Sequence, residues 1–263
     1  MSVFDYREGA GPLVVSMPHT GVRLPDDIAG RYNDVGRSVC DTDWHIDKLY
    51  DFVGELGATV IAARWSRWVI DLNRDPEGAA LYPGSFETGL CPTQTFAKEP
   101  IYAEDGAPDD AEVARRLDAY WRPYHRQLRA ALDAAKARHG YALLLDAHSI
   151  VSHCPLLFDG RLPDINFGTN GGRSCPPAVV AAATEALDGH GFTHVLDGRF
   201  KGGWITRHYG RPDEGIHALQ IELAQAAYMN EAAPRDFDAV FAQPLRNALA
   251  DVLTAAVKAA APR

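Results

Sequence analysis

The apolar run Tyr141–Leu145 (YALLL) breaks at once into the polar cluster Asp146-Ala147-His148-Ser149. A short unbroken apolar run behind Gly140 suits a strand buried on both faces, and such a strand needs a covering layer on each side. That demand points to an α/β architecture, and the rest of the chain agrees with it. Pro12–Met17 (PLVVSM) reads as a second buried strand ending at Pro18-His19-Thr20-Gly21. Ala58–Ala63 and Arg67–Leu72 read as two further β-rich runs, Thr193–Leu196 as a short strand and His217–Leu223 as another. Asp41–Leu56 carries apolar residues at Trp44, Leu49, Phe52, Val53 and Leu56, the spacing of an amphipathic helix capped by Asp41 or Thr42. Asp110–His139 reads as a long helix kinked or split at Pro123, and Pro177–Leu187 and Asp236–Ala260 as two more helices. Strands alternating with helices predict a three-layer α/β fold with a mostly parallel mixed sheet. About forty residues after Leu72, rich in Gly, Pro and Thr, read as a long ordered loop, and loops of that length carry function in compact domains. No internal repeat divides the chain, so 1–263 reads as one domain.

Charge and composition exclude several classes. The formal net charge of −9 argues against nucleic acid, which requires clustered Lys and Arg. It also means that an anionic substrate has to be captured by a local cationic pocket rather than by the overall field. No apolar run is long enough to cross a bilayer, and the first residues lack a basic start followed by an apolar stretch. These features predict a cytoplasmic protein with no membrane partner. Cys40, Cys91, Cys154 and Cys175 are scattered with no C-x-x-C pair, which predicts free thiols and excludes a zinc finger. The sequence sets no oligomeric state.

Ligands in parallel α/β sheets sit outside the carboxyl ends of the strands, and the chemically interesting residues follow strand ends here. His19 and His148 each close an apolar run. Two such histidines can converge above the sheet, and a catalytic zinc takes imidazole and carboxylate ligands while keeping one position open. A third ligand is available among Asp41, Asp43 and Asp47; Asp43 and Asp47 are four apart and would share a helix face. The bland reading is that the histidines cap loops and the aspartates cap a helix. Glu222, in HALQIELAQA, sits between apolar neighbours, where a carboxylate needs a metal or a partner. It is either a general base or half of a buried salt bridge. Asp71-Leu72-Asn73-Arg74 sets an amide and a planar guanidinium at the presumed site, a pairing suited to a substrate carboxylate; Arg67 reads as a surface Arg–Asp pair. Arg207, in a Gly- and aromatic-rich segment, and Arg173, in GRLPDINFGTNGGRSC, are candidates for a second anion clamp. His45, His125, His139, His190 and His194 read as surface or packing residues.

Together the motifs SMPHTG (16–21), DTDWHIDKLYDF (41–52), SRWVIDLNRDP (66–76), LYPG (81–84), LLDAHSI (144–150), FDGRLPDINFGTNGGRSC (158–175), KGGWITRHYGRP (201–212) and HALQIELAQAAYMNE (217–231) resemble the N-formylglutamate amidohydrolase family. The likeness runs in order over nearly the whole chain and is strongest to the deformylases of histidine degradation. It implies an architecture related to zinc carboxypeptidases and aspartoacylase. It further implies one zinc held by His19, His148 and an acidic residue, Glu222 as base, and Asn73 and Arg74 on a substrate carboxylate; beside it, Arg207 or Arg173 is the candidate cation for a second carboxylate. Zinc carboxypeptidases carry a glutamate three residues after the first histidine, where this chain has Val22, so the acidic ligand comes from elsewhere, with Asp43 ahead of Asp47. The implied reaction is hydrolysis of N-formyl-L-glutamate to L-glutamate and formate. Two alternatives stand beside it: deacylation or peptidase action on another N-acyl amino acid or acidic peptide, and amino-acid binding without catalysis. Iron, cobalt or manganese would also suit two histidines and a carboxylate.

Overall fold

A computed structural model describes residues 2–81, 84 and 86–262; Tyr82 and Pro83 of the LYPG motif lie outside the described residues. Seven strands form one sheet: β1 (Phe4–Arg7), β2 (Leu13–Met17), β3 (Thr59–Ala63), β4 (Ala142–Ile150), β5 (Ile165–Gly168), β6 (His194–Leu196) and β7 (Ile216–Ala224). Their spatial order is β1-β3-β2-β4-β7-β5-β6. The four strands β3, β2, β4 and β7 run parallel at the centre. β1 lies antiparallel to β3, β5 lies antiparallel to β7, and β6 runs parallel to β5. The sheet is thus mostly parallel and mixed.

Every residue of β4 is buried, as the apolar run demanded. The strand extends beyond that run through His148 to Ile150, so His148 sits within it rather than at its close. Strand residues alternate faces, and the row Ser16, Asp146 and Gln220 pairs across β2, β4 and β7. This row meets one helical layer. Tyr124 of α5 (Arg122–His139) bonds Ser16 Oγ at 2.9 Å, and the Thr206 hydroxyl of α7 (Trp204–Tyr209) donates to Asp146 at 3.0 Å. On the other side Tyr141 donates to the Val257 carbonyl of α8 (Ala239–Ala260), against which α6 (Pro177–Glu185) packs. The three layers follow.

Asp110–His139 is helical as the sequence predicts, but its break lies at Leu117–Trp121 rather than at Pro123. α4 (Asp110–Arg116) passes through a π-turn over Leu117–Trp121 into α5, with Pro123 in the first turn of α5 just after the widened turn. Three short helices, α1 (Asp26–Ala29), α2 (Asp34–Ser38) and α3 (Ile46–Leu49), complete the set.

Two further expectations are corrected. The long helix over Asp41–Leu56 is only α3 plus one 3-10 turn at Asp51–Gly54. Its first residues spend their polar groups elsewhere: the Asp43 amide donates to the His19 carbonyl at 3.1 Å, Asp41 accepts from the Phe96 amide at 2.7 Å, and His45 takes a left-handed φ of 60°. Arg67–Leu72 is a turn and loop, not a strand. Trp68, Val69 and Ile70 are buried, and an unbroken apolar run reports burial without reporting extension. The long loop after Leu72 is present as expected, without helix or named strand between residues 64 and 109 among the described residues.

Candidate metal centre and active site

His19 lies two residues past the end of β2, beside β4. The backbone bond from the Asp43 amide to the His19 carbonyl ties the 41–44 turn to that point. His148 faces the same space from β4, its ring centroid 4.9 Å from that of His19. The Nδ1 atoms of both rings turn toward one oxygen, Asp43 Oδ2, at 3.7 Å for His19 and 2.9 Å for His148. Each side chain offers a ligand atom, all within 4.8 Å of one another, and all three residues are buried. Asp47, by contrast, is exposed and lines a separate surface hollow with Lys48 and Arg246. The shared helix face expected for Asp43 and Asp47 does not exist, because Asp43 precedes the helix.

What lies behind the rings decides whether these residues suit a metal. His19 Nε2 is 2.6 Å from Asp71 Oδ1, and His148 Nε2 is 3.0 Å from Asp146 Oδ1. A carboxylate on the far nitrogen of an imidazole fixes the ring, holds the proton there and leaves the near lone pair for a cation. Two imidazoles so backed, with one carboxylate between them, fit a divalent transition metal. Without one, the cluster holds itself together by charge. Burial opposes ionisation of Asp43, but the two imidazoles overcome it and hold its carboxyl below the usual range. Burial likewise opposes protonation of His148, and Asp146 and Asp43 raise it well above the ordinary imidazole value.

Glu222 is the register partner of His148 on β7 and therefore points to the same face. It is only 8% exposed. Burial pushes its carboxyl up to about 8, against the pull of His148 and Arg67 and with the help of Asp43 and Asp146. Gln220, one pleat back, donates to it at 3.4 Å.

These groups open into one pocket of about 630 Å³, solvent at its mouth included. Leu81, Phe86, Glu87, Thr88 and Phe96 wall it, all from the long loop. Asn73 and Arg74 line it too. The Asn73 amide is held within the protein: Oδ1 accepts from the Ile205 amide at 2.7 Å, and Nδ2 lies 2.8 Å from His148 Nε2 and 3.3 Å from Asp146. Arg74 donates to the Thr88 carbonyl at 2.8 Å and stands 3.8 Å from Asp71. The second cation expected from Arg173 or Arg207 is not in the lining. Arg173 is exposed and bound to Asn170, while Arg207 donates to the Gly202 and Leu81 carbonyls.

Arg67 and Arg199 line the pocket instead. Arg67, read as a surface pair, is buried. It bonds Asp71 at 2.6 Å and keeps a buried Nε without a hydrogen-bond partner. Its place in a run of buried residues was the available signal. For Asp146 the signal was its position two residues before His148, since alternation sets both on one face.

The sequence profile described as N-formylglutamate amidohydrolase matches residues 11–229. The chain belongs to the N-formylglutamate amidohydrolase family. Among relatives in this family, the N-formylglutamate deformylase of Pseudomonas putida is 50% identical over 255 residues, 96% of this chain and 95% of that protein. The protein of the same name from Pseudomonas aeruginosa is 49% identical over 253 residues, 95% and 94% of the two chains. The crystal structure of N-formylglutamate amidohydrolase from Ralstonia eutropha JMP134 superposes with a TM-score of 0.83 at 31% identity, covering 98% of each chain. Among the described residues of this amidohydrolase, no helix is long and apolar enough to cross a membrane.

Proposed function

We propose that the whole chain, 1–263, is one amidohydrolase domain that hydrolyses N-formyl-L-glutamate to L-glutamate and formate. The carrying observation is the meeting of His19, Asp43, His148 and Glu222 in one pocket walled by guanidiniums, in a chain about half identical to proteins named for that activity. A single zinc ion would be held by His19, His148 and Asp43, and when bound it supplies Lewis acidity that polarises an amide carbonyl and makes water acidic near neutral pH.

The chain's own residues do the rest. Glu222 takes the proton of the attacking water, whose oxygen joins the formyl carbon. As the carbon–nitrogen bond breaks, Glu222 hands that proton to the nitrogen, and formate and the free amine result. Burial raises the Glu222 carboxyl, so a proton it has taken from water is held for delivery to the nitrogen. Arg74, fixed by Thr88, takes the α-carboxylate, and Asn73 holds the Asp146–His148 side of the cluster in place. Arg67 faces the same pocket and offsets negative charge developing on the carbonyl oxygen. The enzyme is cytoplasmic, acts on a small anion and has no nucleic-acid partner.

The test is formate release from a panel of N-formyl and N-acetyl amino acids, with metal content measured on the same preparation. Preference for N-formyl-L-glutamate with one zinc per chain is the expected result. Preference for the acetyl compounds would make the protein a different deacylase. Amino-acid binding with neither metal nor turnover would make it a binding protein.

A further inference from the structure

The dianionic substrate proposed above carries a second carboxylate, two methylenes from the α-carbon, and the pocket has an apolar wall for it just past His148 on β4. We propose that Arg199, with Leu157, Phe200 and Ile150, forms the subsite for the substrate's side-chain carboxylate; this rests on the N-formylglutamate reading. The cations of the pocket come from two flanks. Arg67 and Arg74 lie on the loop after β3, on the β2–β3 side of the sheet. Arg199 lies on the segment between β6 and α7, on the β5–β6 side. His148 and Glu222 stand between them on β4 and β7. A substrate anchored by its α-carboxylate at Arg74, with its amide over the cluster, therefore has its side chain free to reach the opposite flank.

What lies there matches that side chain. Ile150 belongs to a small apolar cluster, separate from the main core, against which Phe96, Leu157 and Phe200 pack. All four line the pocket, and they offer methylenes a dry wall. Arg199 stands at that wall. Its Nε donates to the Leu157 carbonyl at 2.5 Å, and its guanidinium carbon lies 5.3 Å from the Phe200 ring centroid. These two contacts fix the plane of a group whose geometry matches a carboxylate in two-pronged fashion. Arg173 and Arg207 have no place in that lining, and Arg67, 4.9 Å over the Phe96 ring of the same wall, is tied to Asp71 at 2.6 Å.

The experiment compares N-formyl-L-glutamate with its neutral isostere, N-formyl-L-glutamine, on the metal-loaded full chain. For the wild type, kcat/KM favours the glutamate compound. In Arg199→Gln the ratio of the two kcat/KM values falls on the order of 10²-fold, the scale of losing one partner of a desolvated charge pair. A purely structural role would lower both rates and leave the ratio alone, and an unchanged ratio overturns the subsite. If Arg199→Gln does not fold, Arg199→Lys reads the same quantity. It keeps the charge without the two-pronged donor, and the ratio then falls about tenfold; no fall overturns the proposal. A wild type that hydrolyses both substrates equally overturns the subsite alone. One that releases formate from no N-formyl amino acid overturns the parent reading, and the subsite with it.

Discussion

At the scale of single residues, the site is built from pairs in which one group sets the state of another. Glu222 is the clearest case, a carboxyl raised to about 8 by burial beside Asp43, whose own carboxyl the two imidazoles hold ionised against burial. Glu222→Gln keeps the shape and the Gln220 contact but cannot carry a proton. The expected outcome is a fall in kcat of at least about 10³-fold with metal still bound, read by steady-state kinetics and metal analysis together. Retained turnover would remove Glu222 from the chemistry, and loss of metal would make it a ligand. Asp71 acts one step further back. It accepts from His19 Nε2 and balances Arg67, and it is held ionised far below the usual range: burial opposes this, but His19, Arg67 and Arg74 outweigh it. Asp71→Asn should weaken metal affinity about 10–100-fold, measured by competition with a chelator, because the ring loses the partner that orients it and raises its basicity. Unchanged affinity would show that packing alone holds the ring.

At the scale of elements, β4 and β7 do most of the positioning. One register pairs Asp146 with Gln220 and His148 with Glu222, so a single parallel ladder sets the two backing groups and the two working groups on one face. This was legible in the sequence, where LLLDAHS and LQIELA carry both the apolar run and the alternating polar residues. The turn that delivers Asp43 was not. Helical spacing over 41–56 is real in its apolar residues, but the ties from Asp43 to His19 and from Asp41 to Phe96 are long-range, and a local pattern does not encode them. Nor was Arg199 legible, because no motif marks a cation that reaches the pocket by way of the Leu157 carbonyl. The N-terminus of α7 offers a test of element-scale positioning. A Cβ at Gly203 would fall inside contact distance of the Asn73 side-chain amide. Gly203→Ala should therefore push Asn73 away from Asp146 and Ile205, cutting kcat/KM by about tenfold or more while the cost in stability stays within roughly 1–3 kcal/mol. Matching losses of activity and folded fraction would make the effect one of folding alone.

Across the whole molecule, the polar site and the core share one scaffold, and His125 joins them. It sits on α5, buried, with Nε2 bonded to the Leu72 carbonyl at 2.8 Å on the loop that carries Asn73 and Arg74. Its Nδ1 is 3.0 Å from the Tyr209 hydroxyl of α7. Trp121 and Trp204 close around the ring. A neutral imidazole satisfies this setting, and burial drives its pKa down to about 3 from 6.5. The unfolded chain therefore takes up this proton well before the folded one, and the stability contributed by His125 is present above pH 6.5 and lost as the pH falls toward 3. Glu222 acts in the opposite sense between pH 4.5 and about 8, where the folded state holds the extra proton, so the total stability of metal-free protein does not isolate either group. The difference between wild type and His125→Gln does, because every other titration cancels. The advantage of wild type in urea unfolding should shrink by about 1.4 kcal/mol for each pH unit between pH 6.5 and 3. A difference constant with pH would mean that the folded protein admits the charged imidazole, and the link from α5 through the 71–74 loop to the metal cluster would then be looser than its hydrogen bonds indicate.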